Sequence, residues 1–166
     1  VLFEIDGNNA LDLYKTYLGD YAEKLPASAL LFPLAIQEGN GEEVVRTILK
    51  IDVQNKSMTF AGNLPIGSKV RFMKTTLDNL VNAASDAALM CTTNILEKEE
   101  KLSILISCVG RKIIFGKRID EEFDAVRESL GNDTVITGFY SYGEIAPFST
   151  FQKCQLHNQT MTITTL

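Results

Sequence analysis

The residues best suited to chemistry in this chain fall in two short stretches, "SCVGR" (107–111) and "GFYSYGE" (138–144). Arg111 offers a planar fork of donors that can hold a carboxylate through two parallel hydrogen bonds. Glu144 can accept hydrogen bonds from an ammonium or hydroxyl group. Together they describe a site for a small zwitterion, fork on one side and carboxylate on the other. Each has a structural alternative: Arg111 as a surface residue, Glu144 as a loop acceptor, or the two as each other's partners. Tyr140 and Tyr142 alternate with Phe139 and Ser141, so the tyrosines share a face and can line a pocket with an apolar wall and a polar tip. For Phe139, core packing is at least as natural a reading as a place in a pocket. Gly138 suits a close approach of backbones, and Gly143 suits a turn. Cys108 and His157, the single histidine, could form a nucleophile and base. No local signature of a cysteine hydrolase surrounds them, and free cysteines are often simply buried. No catalytic residue is therefore expected.

The elements that must position these residues follow from periodicity. "LSILISCV" (102–109) is almost continuously apolar, as a strand covered on both faces would be. A helix follows, with Ile119, Phe123, Val126 and Leu130 on one stripe and Gly131 at its stop. "TVITGFY" (134–140) is the next strand. The connection of about two dozen residues is long enough for a parallel crossover. Parallel neighbours place Cys108 and Tyr140 at the same sheet edge, where ligands bind in open α/β sheets.

Two more helices are expected. One follows "DGNN", capped by Asn8 or Asn9, with Leu11, Tyr14 and Leu18 on one face and Gly19 at its end. The other is capped by Thr75 or Thr76 and carries Leu77, Leu80, Val81, Ala84, Ala87 and Cys91 at helical spacing. "VLFEI" opens the chain as a strand. "SALLFPLAI" (28–36) is another, with Pro33 pointing to an edge or a bulge. In "VVRTILKIDV" (44–53), Val45, Leu49, Ile51 and Val53 alternate with Arg46, Ile48, Lys50 and Asp52, which predicts one buried face. "MTFAG" is its hairpin partner, and "KVRFMK" follows the turn "NLPIGS". The threonine-rich "NQTMTITTL" (158–166) alternates as a strand open to solvent on one side. "GNGEE" (39–43) lacks the strand-to-helix setting of a phosphate loop and is expected to be a turn. "EKEEK" (97–101) is expected to be a solvated link. The sum is an α+β fold: a mixed, mostly antiparallel sheet, roughly three helices and one parallel strand–helix–strand crossover.

Composition bounds the function. The 166 residues suit one domain spanning 1–166, and 45% hydrophobic with 22% charged residues is a globular balance. Sixteen basic and twenty-one acidic side chains leave a net charge of -5, without a Lys/Arg cluster, so nucleic acid and anionic membrane are not expected partners. No apolar run approaches the roughly 20 residues of a membrane-spanning helix. No signal peptide is visible, and the start at Val1 in a strand-like run suggests a piece of a longer protein. Cys91, Cys108 and Cys154 have no paired or metal-like spacing, which points to the reducing cytoplasm and to no bound metal or cofactor.

At these residues the chain resembles the C-terminal half of the FIST domain, the FIST C domain. The resemblance is carried by "EIDGNNALDLYKTYLG", "GNLPIGSKVRFM", "SCVGRK", "GFYSYGEIAP" and "LHNQTMTIT", in the family's order and over nearly the whole chain. It implies an intracellular sensory domain for a small ligand, proposed to be an amino acid or a similar metabolite, with no chemistry of its own. Such domains sit in bacterial histidine kinases, chemoreceptors and cyclic-dinucleotide enzymes, and in eukaryotic F-box proteins. The implied partners are therefore the ligand, the N-terminal FIST half and an output module of a parent protein. By motif match, the implied ligand-binding positions are Ser107, Cys108, Arg111, Tyr140, Gly143, Glu144, Asn158 and Thr160. Ser141 and Tyr142, lying between them, complete the expected set. The alternatives are a domain–domain interaction module without a ligand, or a cysteine-dependent hydrolase or transferase using Cys108 and His157.

Overall fold

A computed structural model describes residues 1–39, 41–92, 101–147 and 153–166. It divides into two units, Val1–Thr75 and Thr76–Leu166.

In the first unit, β1 (Glu4–Ile5) and β2 (Asn8–Asn9) form a hairpin over Asp6 and Gly7. Both turn residues have positive φ, 50° and 75°, as a two-residue Asp-Gly hairpin requires. The Asn9 side chain then accepts the amide of Asp12 and caps α1 (Ala10–Leu18), and Gly19 at φ 55° ends the helix. Leu11, Tyr14 and Leu18 are buried as their spacing predicts, against Phe32, Leu34, Met58 and Phe60. The Tyr14 hydroxyl, inside this core, donates to the Phe32 carbonyl at 2.7 Å.

Five strands complete the unit: β3 (Leu34–Gln37), β4 (Val44–Arg46), β5 (Ile48–Asp52), β6 (Ser57–Phe60) and β7 (Lys69–Phe72). Two expectations are corrected here. "SALLFPLAI" is not one strand, because Ala27–Leu31 is a 3-10 helix. Pro33 stands just ahead of β3, which is the central strand between β4 and β7. A proline before the first ladder residue removes no strand-pairing hydrogen bond, so it marks a start and not an edge. "VVRTILKIDV" breaks at Thr47, where the chain passes from the β3 sheet to a separate pairing of β5 with β6. That break, with the register irregularity between Ile48 and Lys50, moves the buried face: Arg46 and Ile48 are buried, while Leu49 and Val53 are exposed.

The second unit starts at Thr76, whose hydroxyl accepts the Asn79 amide at 3.2 Å and caps α2 (Leu77–Thr92). Then come β8 (Lys101–Cys108), α3 (Val109–Phe115), α4 (Ile119–Leu130), β9 (Thr134–Ser141), β10 (Glu144–Ala146), β11 (Gln155–His157) and β12 (Met161–Thr165). The expected parallel pair is present: β8 and β9 run in register from Lys101↔Thr134 to Cys108↔Ser141. On its other side β8 pairs antiparallel with β12, and β10 pairs antiparallel with β11. The helix α3 has no counterpart in the sequence expectation. "EKEEK" lies outside the described residues except for Lys101, and Asn40 within "GNGEE" is likewise outside them.

One face of this sheet is packed. Leu105, Ala84, Ala88 and Val126 are buried together, with Ile136, Met161 and Ile163 against them. The opposite face carries Leu102 exposed and Ile104 and Ile106 only partly buried, so β8 is not fully covered on both sides. Beside them Val135 and Phe139 are exposed, Phe139 at 59%, so of its two readings the core one does not hold. The third stripe is rotated as well. In α4 it is Glu122 and Val126 that are buried, whereas Phe123 is exposed. Gly138 is where β9 comes closest to its neighbour: a Cβ there would sit 2.1 Å from the Leu105 carbonyl oxygen. Only glycine fits that approach.

Candidate functional site

Strand alternation divides the expected site residues between two places. Adjacent residues of a strand point to opposite faces. Ser107 is paired with Tyr140 and Cys108 with Ser141, so the first pair lies on the helix-covered face with Leu105 and the second pair lies opposite.

On the helix-covered face a cleft of about 350 Å³ opens beside β8, β9 and the start of α4. Leu105, Ile136, Phe123 and Met161 make it apolar, and Ser107, Glu122 and Tyr140 supply its polar groups. The size falls at the small end of the roughly 300–1,000 Å³ range of ligand pockets. Behind the cleft lies a buried ion pair. Arg111 is 2% exposed and Glu122 1% exposed, and the Arg111 Nε donates to Glu122 Oε1. Arg111 Nη2 donates to the Leu80 carbonyl at 2.8 Å, and Nη1 reaches the Gln159 carbonyl at a long 3.5 Å. The Ser107 hydroxyl donates to Glu122 Oε2 at 3.2 Å. One guanidinium thus joins α3 to α2, to α4 and to the residue pair preceding β12. Its fork is engaged within the fold.

The Tyr140 hydroxyl has no hydrogen-bond partner among the described residues, and Lys112 Nζ lies 4.9 Å from its ring centroid. Burial pushes the phenol pKa above its ordinary value; the negative Glu122 and Asp120 add to this, and Arg111 opposes them. Tyr140 therefore remains a protonated donor at neutral pH.

The second place is a polar cluster where β9 gives way to β10. Glu144 is 2% exposed and accepts the hydroxyls of Ser141 at 2.6 Å and Thr160 at 2.8 Å. Among the described residues no ion pair joins it to Arg111, so the proposed opposition of the two across one cleft is replaced by two separate clusters. The Cys108 amide donates to the Thr160 carbonyl at 3.0 Å, and Asn158 Nδ2 donates to the His157 carbonyl at 3.0 Å. The Ser141 hydroxyl also reaches the Gly143 carbonyl at 3.3 Å. Burial pushes the Cys108 thiol pKa up, against the backbone N–H groups of Gly110, Gln159 and Arg111, and the Glu144 charge pushes it further. His157 Nε2 lies 2.9 Å from the Ala146 carbonyl oxygen. A neutral, buried thiol is a poor nucleophile. Tyr142 is 89% exposed: β9 ends at Ser141, and the shared face of the tyrosines ends with it.

Two buried polar residues beside these places lie outside the expected set. Glu122 stands three residues after Ile119 and four before Val126, on the apolar stripe. A carboxylate at a core position needs a charged or hydrogen-bonding partner, and that is the signal it offers. Gln159 has a left-handed backbone at φ 55°, and its buried Nε2 has no hydrogen-bond partner among the described residues. No group of three or more His, Cys, Asp or Glu among the described residues could hold a metal ion. No described helix is long and apolar enough to cross a membrane.

The family model of the FIST C domain matches residues 10–147, which takes in both strands of the parallel pair and every cleft residue except Met161. Asn158 and Thr160 lie beyond the matched residues. No curated protein and no solved structure matches the chain. The family is a predicted sensory domain of signal-transduction proteins and is not a known catalytic family. With α1, the parallel β8–β9 pair and β10 all inside the match, the chain belongs to the FIST C domain family.

Proposed function

We propose that this chain is an intracellular sensory domain that binds a small metabolite, amino-acid-like or similar, in the cleft at Ser107, Glu122 and Tyr140, and performs no chemistry of its own. The observation that carries the reading is that cleft: apolar walls, a few convergent polar groups, and a position toward the carboxyl ends of the parallel strands. Of the residues expected from the sequence, Ser107 and Tyr140 would meet the ligand directly. Arg111 would act behind Glu122. Cys108, Ser141, Gly143, Glu144, Asn158 and Thr160 would hold the sheet end in shape, and Tyr142 would stay in solvent. A ligand that touches Glu122 or Ser107 reaches Leu80 and Gln159 through Arg111, which gives binding a route to α2 and to the start of β12. It acts by binding one arrangement of these elements more tightly than another. The N-terminal FIST half and an output module of a parent protein are the proposed receivers.

The experiment is a thermal-shift screen of the chain against amino acids and related metabolites, followed by NMR mapping of each hit. Stabilisation with shifts at Leu105, Ile136 and Met161 supports the reading. Hits that map elsewhere, or none at all, defeat it. A second reading, a domain–domain interaction module, is favoured by the exposed Val135, Phe139, Tyr142 and Ile145. It predicts binding of a FIST N-terminal half that survives when the cleft is filled by Ile136→Trp.

A further inference from the structure

The charges at the cleft are already compensated, and that constrains what the cleft can hold. The Arg111 guanidinium faces Glu122 and two carbonyls, and the Glu122 carboxylate faces Arg111 and Ser107. A ligand carboxylate pushed into this floor would meet Glu122 with no free cation behind it. A ligand ammonium would compete with Arg111 for a carboxylate that cannot turn away from it. Burial of either ligand charge without a dedicated partner is strongly unfavourable. The hydrogen-bonding capacity left over is of a different kind. Ser107 donates its hydroxyl proton to Glu122 and keeps its acceptor lone pairs; Glu122, like any carboxylate, has about four acceptor sites and fills two of them here. The floor is thus an acceptor for an uncharged N–H or O–H. The walls are apolar, and the cleft presents two aromatic rings partly open to solvent, Phe123 and Tyr140. Rings of this kind stack or meet edge to face with another aromatic group.

We infer that the cleft holds a neutral aromatic ring bearing one hydrogen-bond donor, a phenol or an indole, with the donor directed at Ser107 and Glu122. This inference rests on the sensory reading above and specifies its ligand. The ring arrives either as a free phenol or indole or as the side chain of tyrosine or tryptophan. In the second case the charged end of the amino acid stays at the mouth, where Tyr140 carries its free hydroxyl and Lys112 its ammonium. The cleft volume of about 350 Å³ accommodates a ring of that size and leaves no room for a nucleotide or a sugar chain.

The test is a calorimetric and methyl-NMR titration of the 166-residue chain with p-cresol, indole, tyrosine and tryptophan, and with toluene, glycine and glutamate as contrasts. Binding of p-cresol or indole, with shifts at Leu105, Ile136 and Met161, supports the inference, and toluene should bind about 3- to 10-fold more weakly for lack of the donor. Ser107→Ala should remove most of that difference, and Tyr140→Phe should weaken tyrosine and tryptophan more than it weakens p-cresol and indole. If tyrosine and tryptophan bind but the free rings do not, the source is the amino acid. If Tyr140→Phe weakens the free rings as much as the amino acids, the assignment of floor and mouth is overturned. If glycine or glutamate binds the cleft and no ring does, the ligand class falls while the sensory reading stands. If none of the seven probes perturbs the cleft, both fall.

Discussion

Breaking the Arg111–Glu122 pair should cost far more than any surface ion pair in this chain. Both side chains are almost wholly buried, at 2% and 1% exposure. Arg111→Met would leave the Glu122 carboxylate inside the protein with only Ser107 as a donor, and would leave the Leu80 and Gln159 carbonyls without their guanidinium contacts. Removing one partner of a buried pair typically costs about 3–5 kcal/mol, because the other charge stays behind. That is a large share of a native stability of roughly 5–15 kcal/mol. For a chain of this length it corresponds to a fall in melting temperature of roughly 6–20 °C. Glu122→Leu should cost about as much, now through a stranded guanidinium. The double variant removes both charges and should recover most of the loss, keeping a deficit of about 1–3 kcal/mol for the carbonyl contacts that Arg111 made. The coupling energy should therefore be about 3 kcal/mol or more, at or above the top of the range for contacting residues. Arg111→Lys keeps the charge but not the three-way reach, and should fall between wild type and Arg111→Met. Urea unfolding followed by far-ultraviolet circular dichroism gives all four corners of the cycle. Single variants that each lose under about 1 kcal/mol, or a double variant that loses the sum of the two, would refute the reasoning.

Four further outcomes follow from the fold. Thiol labelling of the folded chain should modify the exposed Cys154 first, and Cys108 and Cys91 only on unfolding, because burial raises both thiol pKa values; rapid labelling of Cys108 at neutral pH overturns this. The same shift sets a pH window. Since the folded Cys108 pKa lies above the unfolded value of about 8.5, its contribution is fully present below that pH and is lost as pH rises through the folded value. Alkaline melting curves should accordingly be flatter for Cys108→Ala. Gly138→Ala places a Cβ 2.1 Å from the Leu105 oxygen and should cost about 3 kcal/mol, the top of the usual overpacking range, whereas Val135→Thr on the exposed face should stay within about 0.5 kcal/mol. Asn9→Ala removes the cap of α1 and should cost about 1 kcal/mol, with Asn9→Asp retaining most of the stability; equal losses in the two variants refute the capping role.

What the sequence makes legible here is local. The caps at Asn9 and Thr76 and the stops at Gly19 and Gly131 follow from residues within a few positions of the feature they set, and the parallel β8–β9 pair follows from the length of the helical connection between two recognisable strands. Errors appear wherever a tertiary event changes the phase of a pattern. Thr47 sends one apparent strand into two sheets, so the alternation of Val45, Leu49 and Val53 predicts the wrong buried face. Phe123 fits the apolar stripe of α4 better by type than Glu122 does, yet the helix turns Glu122 inward because Arg111 waits there on α3. No periodicity in α4 contains that information, because the partner lies on another helix.

The candidate site fails to be read for a related reason. Residues 107 and 108 are neighbours in sequence and so look like parts of one rim, as do 140 and 141. Strand geometry separates them by a full sheet thickness of function: Ser107 and Tyr140 go to the cleft, Cys108 and Ser141 to the Glu144 cluster. The same alternation that makes β8 recognisable as a strand thus puts its last two residues on opposite faces of the sheet. Arg111 and Glu144, chosen as opposite charges across a cleft, each find a nearer partner in the fold, Arg111 in Glu122 and Glu144 in two hydroxyls. Charge type alone nominates both residues correctly as exceptional, since neither is at home in a core without compensation. It cannot say which partner compensates them, and in this protein that choice decides that the cleft is lined by groups whose charges are already spent.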